Sequence, residues 1–260
     1  MDNKKNIIFY YQTFNGLQDI LVEGTKVTHI HLSASHFGTD EVGNPYIHLN
    51  DYPPNSQKFD YMWQEIRKAK SLGIKIIIML GGAGGAYTDL FQSFDVYYGF
   101  LKEFIIGKRD LIDGIDLDVE EYVELSKIEN LIKLIKKDFG SKFIISMAPV
   151  QYAIETDNPG MGGFVYKSLY QSCGELIEYF NVQCYESYTL SAYENMINNG
   201  YPRDKIIMGS ISCQDINQNL ETIKSIVKKY PDFLGVFNWE YFDSPPNPEE
   251  WCKLMSSALN

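Results

Sequence analysis

The chain has 260 residues, of which 45% are hydrophobic, and its 34 acidic and 23 basic side chains give a formal net charge of −11. This length can bury a large core, and it fits either one barrel or two ordinary domains. The acidic balance argues against nucleic acid and against an anionic membrane surface as partners, because phosphate binding needs a clustered positive face.

Eight short apolar, β-branched runs alternate with longer amphipathic stretches, as in parallel strands joined by helices. We predict strands at 6–11, 27–33, 74–80, 114–120, 142–148, 179–185, 205–211 and 233–239. The clearest helices are predicted at 57–73, 125–140, 217–231 and 246–259. This order predicts an α/β protein, a (β/α)8 TIM barrel, over an open doubly wound sheet. No linker divides the chain, so we expect residues 1–260 to form a single catalytic barrel.

The cysteines and the first residues also limit the class of protein. The four cysteines lie far apart without a CxxC pair, which indicates neither a zinc site nor a disulfide framework. The first apolar run is too short for a signal peptide, and no run is long enough to cross a membrane. We expect a soluble monomer without cofactor or metal, which is either cytoplasmic or a processed secreted protein.

Acidic side chains recur at every second position in the stretch DGIDLDVE, residues 113–120. In a strand these side chains share one face, so Asp116, Asp118 and Glu120 should point into the barrel, with Glu120 at its open end. Asp116 lies within an apolar run, where an unpaired carboxylate is too unfavourable to be accidental. We expect repulsion and partial burial to favour protonated carboxyls and so to keep Glu120 available as a general acid.

The same stretch matches the DxxDxDxE signature of glycoside hydrolase family 18, with Asp113 in the first acidic place. Four more segments resemble the family's conserved segments in the same order along the barrel: MLGGAGGAY (79–87), MAPVQ (147–151), VQCYES (182–187) and GVFNWEYFD (235–243). The chain resembles most the short, single-domain branch that contains plant class III and small fungal chitinases.

The resemblance implies a catalytic role for four residues. Glu120 would protonate the glycosidic oxygen, and Asp118 would stabilise the acetamido nitrogen of the substrate with Asp116 behind it. Tyr185 would donate its hydroxyl to the acetamido oxygen. That oxygen would itself attack the anomeric carbon, which gives an oxazolinium intermediate and retention of configuration.

Further residues are expected to bind the sugar. Met147 and Gln183 would line the floor of the site, and Trp239 would stack beneath the −1 sugar. Either aromatic residue at the end of the first strand could stack a sugar, and the family pattern favours Tyr10 over Tyr11. The set of substrate-binding candidates is Tyr10, Gly81, Gly82, Met147, Gln183 and Trp239. Tyr87, Glu155 and Asp157 are candidates for contacts with further sugars.

Two other residue patterns resemble a phosphate loop and a metal site. Gly81 and Gly82 belong to a glycine-rich segment that lacks the GxxxxGK[ST] pattern of a phosphate loop, so a tight backbone beside a sugar explains it better. His29 and His31 share a strand face, but no acidic residue at ligand spacing accompanies them, so no metal site is expected.

Three positions depart from the family pattern without removing the proton donor or the acetamido clamp. Met79 replaces a serine, Glu186 replaces a common asparagine, and Val150 stands where the family has a glutamine, with Gln151 following. No insertion domain fits between the seventh and eighth strands. We therefore expect an open groove, which favours cleavage within a substrate chain.

Three functions remain open. The leading one is an endo-acting chitinase that cleaves β-1,4 bonds of chitin or N-acetylglucosamine oligomers. The second is an endo-β-N-acetylglucosaminidase that cuts the chitobiose core of N-glycans, since the acidic motif does not separate the two. The third is a non-catalytic chitin-binding lectin, although such family members usually lose the acid and Glu120 is present.

Overall fold

The computed structural model describes residues 5–260, and one sheet of nine strands runs through them. The strands are β1 (Asn6–Tyr11), β2 (His29–Thr39), β3 (Pro45–Leu49), β4 (Lys75–Gly81), β5 (Gly114–Asp118), β6 (Ile144–Met147), β7 (Tyr179–Gln183), β8 (Ile206–Ile211) and β9 (Gly235–Trp239). All neighbours are parallel except β2 and β3, and β1 pairs with both β2 and β9. Eight strands thus close into a barrel, which confirms the predicted (β/α)8 fold.

Helices cover the outer face of the barrel, and every barrel strand except β1 is followed by at least one of them before the next barrel strand. They are α1 (Asp60–Ser71), α2 (Ala86–Gln92), α3 (Phe94–Gly107), α4 (Leu125–Phe139), α5 (Gln151–Glu155), α6 (Tyr166–Cys173), α7 (Leu190–Asn198), α8 (Ile216–Lys229) and α9 (Pro248–Leu259). In α4 the fully buried residues recur at helical spacing as Ile128, Leu131, Ile132 and Ile135. Each such side chain contributes about 1.5–3 kcal/mol through burial.

The sheet has two chemically different faces. The outer face joins the helices in one large apolar core, whereas the inner face is a smaller cluster that includes Tyr10, Met79 and Phe237. Buried polar residues on strands of this barrel include Asp116, Asp118 and Asn181. Since a buried polar group needs a partner, the barrel interior is where specific chemistry is expected.

Two strands end at positions that the sequence pattern does not predict. β2 continues six residues past its predicted end at residue 33 and forms an antiparallel hairpin with β3. In the turn, the Asp40 carboxylate accepts hydrogen bonds from the backbone N–H groups of Val42 and Asn44. β5 ends at Asp118, so Glu120 lies just beyond the strand instead of on it.

α8 is the regular element between β8 and β9. The predicted absence of an insertion domain at this place is therefore confirmed for the described residues. Across residues 5–260, no helix has the length and apolarity needed to span a bilayer.

Candidate active site

Asp116 lies on the inner face of β5 and is completely buried. Its Oδ2 accepts a hydrogen bond from the Tyr10 hydroxyl at 2.7 Å, and its Oδ1 accepts one from Ser146 Oγ at 2.6 Å. Asn181 Nδ2 in turn donates to the Tyr10 hydroxyl oxygen at 2.9 Å. These contacts replace the water that the buried carboxyl has lost and fix its orientation.

Asp118 is the next residue on the same face of β5, and it is 5% exposed. Its Oδ1 accepts a hydrogen bond from Gln183 Nε2 at 3.3 Å. Burial, followed by the charges of Glu120 and Asp116, raises the pKa of Asp118 well above its ordinary range. Asp118 therefore keeps a proton under conditions in which an exposed aspartate is ionised.

Glu120 follows the end of β5 and is partly exposed at the mouth of the barrel. Its Oε1 lies 3.4 Å from Gln183 Nε2, the same amide nitrogen that donates to Asp118. Gln183 Nε2 also donates to the carbonyl oxygen of Ala148 at 2.8 Å, which fixes the direction of the amide. The three acidic residues of the motif are thus brought together, although the strand stops before the last of them.

Tyr185 follows β7 and directs a half-buried ring into the same region. Gln214 Nε2 donates to the carbonyl oxygens of Cys184 at 3.0 Å and Tyr185 at 2.8 Å, which holds this part of the backbone in place. Burial, with the charges of Asp118 and Glu120, raises the pKa of Tyr185 well above its ordinary value. The phenol therefore stays a hydrogen-bond donor, and no group within residues 5–260 accepts from it.

Trp239 ends β9 and presents a partly exposed indole at the mouth of the barrel. The ring centroid of Tyr10 lies 5.3 Å from that of Trp239 and 5.0 Å from that of Phe237. Trp239 is thus supported from below by aromatic residues and exposes its outer side, an arrangement that suits the apolar face of a sugar.

Two concave regions of the surface lie at the carboxyl ends of the barrel strands. One pocket of about 410 Å³ includes Gln183 and Tyr185 and extends along the loops after β6 and β7. Glu155 and Glu186 are also among its walls. A second concavity of about 540 Å³ lies at the loops after β1 and β4 and at the hairpin of β2 and β3. Since β5 lies between β4 and β6 in the sheet, the strand that carries the acidic residues lies between the two concavities, although these residues line neither of them.

Comparison with known proteins identifies the family. A solved structure of a fungal endo-β-N-acetylglucosaminidase from glycosyl hydrolase family 18 is 30% identical, with a TM-score of 0.86, and the match covers 98% of each chain. The chain belongs to glycoside hydrolase family 18. The structure of the chitinase ChiC from Aspergillus fumigatus is also 30% identical, with a TM-score of 0.85 over 98% of this chain and 100% of that one.

Two sequence comparisons accompany these matches to solved structures. Chitinase 2 of Rhizopus oligosporus is 25% identical over 232 residues, and the match covers 76% of this chain and 41% of that protein. The chain therefore spans less than half the length of this curated relative. No protein-family model matches the chain. The family resemblance inferred from the motifs is confirmed by the solved structures, and family 18 is a family of glycosidases.

Met147 does not line the site of this family-18 chain, contrary to the prediction. It pairs in register with Leu117 and Phe180 on the neighbouring strands, and all three belong to the outer core beneath the helices. Ser146, one residue earlier, points inward to Asp116. Because side chains alternate along a strand, an inward Ser146 requires an outward Met147.

Tyr10 is on the inner face as predicted, but it is 1% exposed and cannot present a ring face to a sugar. Its hydroxyl serves Asp116 instead, so the predicted stacking role is wrong. Tyr11 is fully buried on the outer face, where its hydroxyl oxygen accepts from the backbone N–H of Gly16. Trp239 is thus the aromatic residue that remains available at this place.

Gly81 and Gly82 are buried against β5, and both have left-handed backbone conformations, with φ of +97° and +80°. A Cβ atom at Gly81 would lie 2.3 Å from the carbonyl oxygen of Asp118, and the N–H of Gly82 donates to that same oxygen at 2.9 Å. The glycines are therefore needed for close packing of two strand ends beside the acidic residues. Their contact with substrate remains a prediction.

The three candidates for contacts with further sugars lie in different surroundings. Tyr87 is fully buried and donates to the carbonyl oxygen of Leu80 at 3.0 Å, so it cannot contact a sugar. Asp157 forms an ion pair with Lys167 at 3.2 Å. Glu155 lines the pocket beside Tyr185, and its contact with a sugar remains a prediction.

Three supporting residues were missed by the sequence analysis. Ser146 and Asn181 are polar residues inside apolar runs, so the argument applied to Asp116 could have identified both. Gln214 lies in a loop after β8 and carries no comparable signal in the sequence. Its importance follows from the two carbonyl groups that its side chain holds.

Proposed function

We propose that this chain is a retaining, endo-acting chitinase that cleaves β-1,4 bonds between N-acetylglucosamine units by substrate-assisted catalysis. One observation carries this proposal: Asp116, Asp118 and Glu120 extend from the interior of the barrel to its mouth, and Tyr185 lies close enough for the charges of Asp118 and Glu120 to raise its pKa. Family 18 uses the acetamido group of its substrate in this way.

In the first step, Glu120 donates its proton to the glycosidic oxygen as the bond to the anomeric carbon breaks. The acetamido oxygen of the −1 sugar forms the new bond to that carbon, and the leaving sugar departs as an alcohol. Positive charge develops on the acetamido group, and Asp118 accepts a hydrogen bond from its N–H. A carboxyl group at this position stabilises the charge where it appears.

In the second step, Glu120 removes a proton from water, and the water oxygen attacks the anomeric carbon. The bond to the acetamido oxygen breaks, which restores the acetamido group and regenerates the acid. Two displacements at one carbon retain its configuration. Tyr185 holds the acetamido oxygen beneath the anomeric carbon through both steps, and Trp239 supports the sugar ring.

The two concavities beside the acidic stack support internal cleavage, because an oligosaccharide can extend from the cleavage point in both directions. The groups named in the mechanism all come from a single chain, so we further propose that one barrel formed by residues 1–260 acts as a monomer. Light scattering coupled to size exclusion tests this second point, and an obligate dimer would contradict it.

The substrate test uses N-acetylglucosamine hexamer and a high-mannose glycoprotein, each incubated with the enzyme and followed by mass spectrometry. We expect the hexamer to yield dimers to tetramers and the glycoprotein to keep its mass. Release of the glycan without cleavage of the hexamer would assign the chain to the endo-β-N-acetylglucosaminidases, whose fungal member resembles it. Binding of the hexamer without cleavage would indicate a lectin.

A further inference from the structure

His31 is a fully buried histidine on the inner face of β2, and the mechanism above gives it no role. Its Nδ1 lies 3.4 Å from Oδ2 of Asp116, and its Nε2 lies 3.3 Å from the Tyr179 hydroxyl. Its ring packs against Tyr10 with the centroids 4.7 Å apart. Within the described residues Nδ1 has no hydrogen-bond partner, so its contact with the Asp116 carboxyl group is electrostatic.

The titratable groups around His31 define where its proton can be. Tyr10 from β1 and Asp116 from β5 face one side of the ring, and Tyr179 from β7 faces the other. His29, two residues earlier on β2, packs against the far side of Tyr179. Burial raises the pKa of both tyrosines well above the ordinary value, so each keeps its hydroxyl proton.

The hydrogen bonds of these neighbours favour one tautomer. A neutral imidazole with its proton on Nδ1 directs a positive partial charge at Asp116, which favours the carboxylate over the protonated acid. Nε2 is then an acceptor, and the Tyr179 hydroxyl donates to it. In the opposite tautomer, the lone pair of Nδ1 would face a carboxylate oxygen at 3.4 Å, which is repulsive.

We propose that His31 is a positioning residue whose Nδ1–H holds Asp116 as a carboxylate, so that the proton shared by the acidic stack stays on the upper pair, Asp118 and Glu120. Tyr10 and Ser146 donate hydrogen bonds to Asp116, and the Nδ1–H of His31 adds an electrostatic contact at 3.4 Å. Hydrogen bonds to the charged form of a carboxyl favour that form. The fixed negative charge of Asp116 then opposes ionisation of Asp118 above it. The consequence for catalysis rests on the proposed function.

A set of three variants tests this role through the pH dependence of kcat on N-acetylglucosamine hexamer. His31→Leu keeps much of the volume but removes the donor, so Asp116 can take up a proton and Asp118 ionises more easily. We expect the basic limb of the profile to move about one pH unit lower, in line with the loss of a neighbouring like charge. His31→Asn places an amide donor near the position of Nδ1 and should restore most of the shift.

Tyr179→Phe is the matched control, since it removes the hydroxyl on the other side of the ring and leaves the contact between His31 and Asp116. It should lower Tm without moving the basic limb. A purely structural histidine would make His31→Leu and Tyr179→Phe alike, with lower Tm and an unshifted limb in both. That result would overturn the proposal.

A nitrogen NMR spectrum of the wild-type protein gives a readout that does not depend on activity. The chain has four histidines, and the spectrum of the better-folded His31 variant assigns the signal. We expect Nδ1 of His31 to be protonated and Nε2 unprotonated across the active pH range. An unprotonated Nδ1 would refute the proposal. If the protein cleaves no hexamer but shows Nδ1–H, the proposed function fails while the placement of the proton holds.

Discussion

Gln183 Nε2 lies 3.3 Å from Oδ1 of Asp118, and it is this hydrogen bond that links β7 to the acidic motif on β5. The same nitrogen lies 3.4 Å from Oε1 of Glu120. One amide on a neighbouring strand therefore orients two carboxyl groups whose roles differ. Asp118 is enclosed and keeps its proton, whereas Glu120 is open to the groove.

The raised pKa of Asp118 predicts how stability depends on pH. The folded chain binds this proton more tightly than the unfolded chain, in which the pKa is about the ordinary 3.8. The stabilisation that Asp118 gives is complete below about pH 3.8, and it is lost as the pH rises toward the raised pKa. Asp118→Asn has no charge to bury, so we expect its Tm to exceed that of the wild type at pH 7 and to match it near pH 3.5.

Thermal unfolding at several pH values checks this expectation, with Asp110→Asn as the control on an exposed carboxyl. The control should differ from the wild type by the same small amount at each pH. A Tm difference for Asp118→Asn that does not change between pH 3.5 and pH 7 would contradict a raised pKa. The variant should also lose most of its activity, because an amide, unlike a carboxyl group, cannot ionise as positive charge develops on the acetamido group.

Tyr185→Phe tests the acetamido clamp. The hydroxyl interacts most strongly when charge develops on the acetamido group, so its loss should lower kcat by roughly 10²-fold or more and change KM little. Tyr61→Phe, on an exposed side chain of α1, is the matched control. An equal kcat for Tyr185→Phe and wild type would remove Tyr185 from the mechanism.

Gly81→Ala tests the close contact between β4 and β5. Its φ of +97° alone should cost about 1–2 kcal/mol in an alanine. Gly200→Ala isolates that part, because Gly200 has a similar φ of +100° and a Cβ atom there would contact nothing within 4 Å. We expect Gly81→Ala to lower the free energy of unfolding well beyond Gly200→Ala and to abolish activity. Similar denaturation midpoints for the two variants would contradict this expectation, because they would show that a Cβ atom beside the Asp118 carbonyl oxygen does not lower the free energy of unfolding.

Trp239→Ala tests the sugar platform. Removing the indole should raise KM about tenfold, equivalent to about 1.4 kcal/mol, because the sugar loses its apolar support. Trp239→Phe should keep most of the affinity, since it retains a ring at the same place. A lower kcat with unchanged KM in Trp239→Ala would instead indicate that the residue acts only on the acidic groups below it.

The barrel could be predicted because every barrel strand contains an apolar run that the sequence shows, although several strand ends differ from the predicted ones. All eight barrel strands overlap their predicted ranges, and the helix at 125–140 ends within one residue of its predicted end at Gly140. The hairpin formed by β3 was missed because Pro45–Leu49 is a short, polar-edged strand without a long apolar run. Local pattern therefore sufficed for the buried strands and not for the edge of the sheet.

The site was less predictable because inward and outward directions depend on where each strand begins. The alternation on β5 was correct, but β6 is four residues long, and Met147 faces the helices. Tyr10 was expected at the surface of the groove, yet Trp239 and Phe237 cover it. Depth within the barrel depends on side chains from other strands, which no single run of sequence contains.

The central claim is that Glu120 is the acid of a chitin-cleaving site, and cleavage of N-acetylglucosamine hexamer by matched variants tests it most directly. Glu120→Gln removes the proton donor and keeps the size of the side chain. Glu178→Gln makes the same change just before β7, at the opposite end of the barrel. We predict that Glu178→Gln cleaves the hexamer like the wild type, whereas Glu120→Gln loses about 10²–10⁴-fold in rate and still binds it. Equal cleavage by Glu120→Gln and wild type would contradict the account.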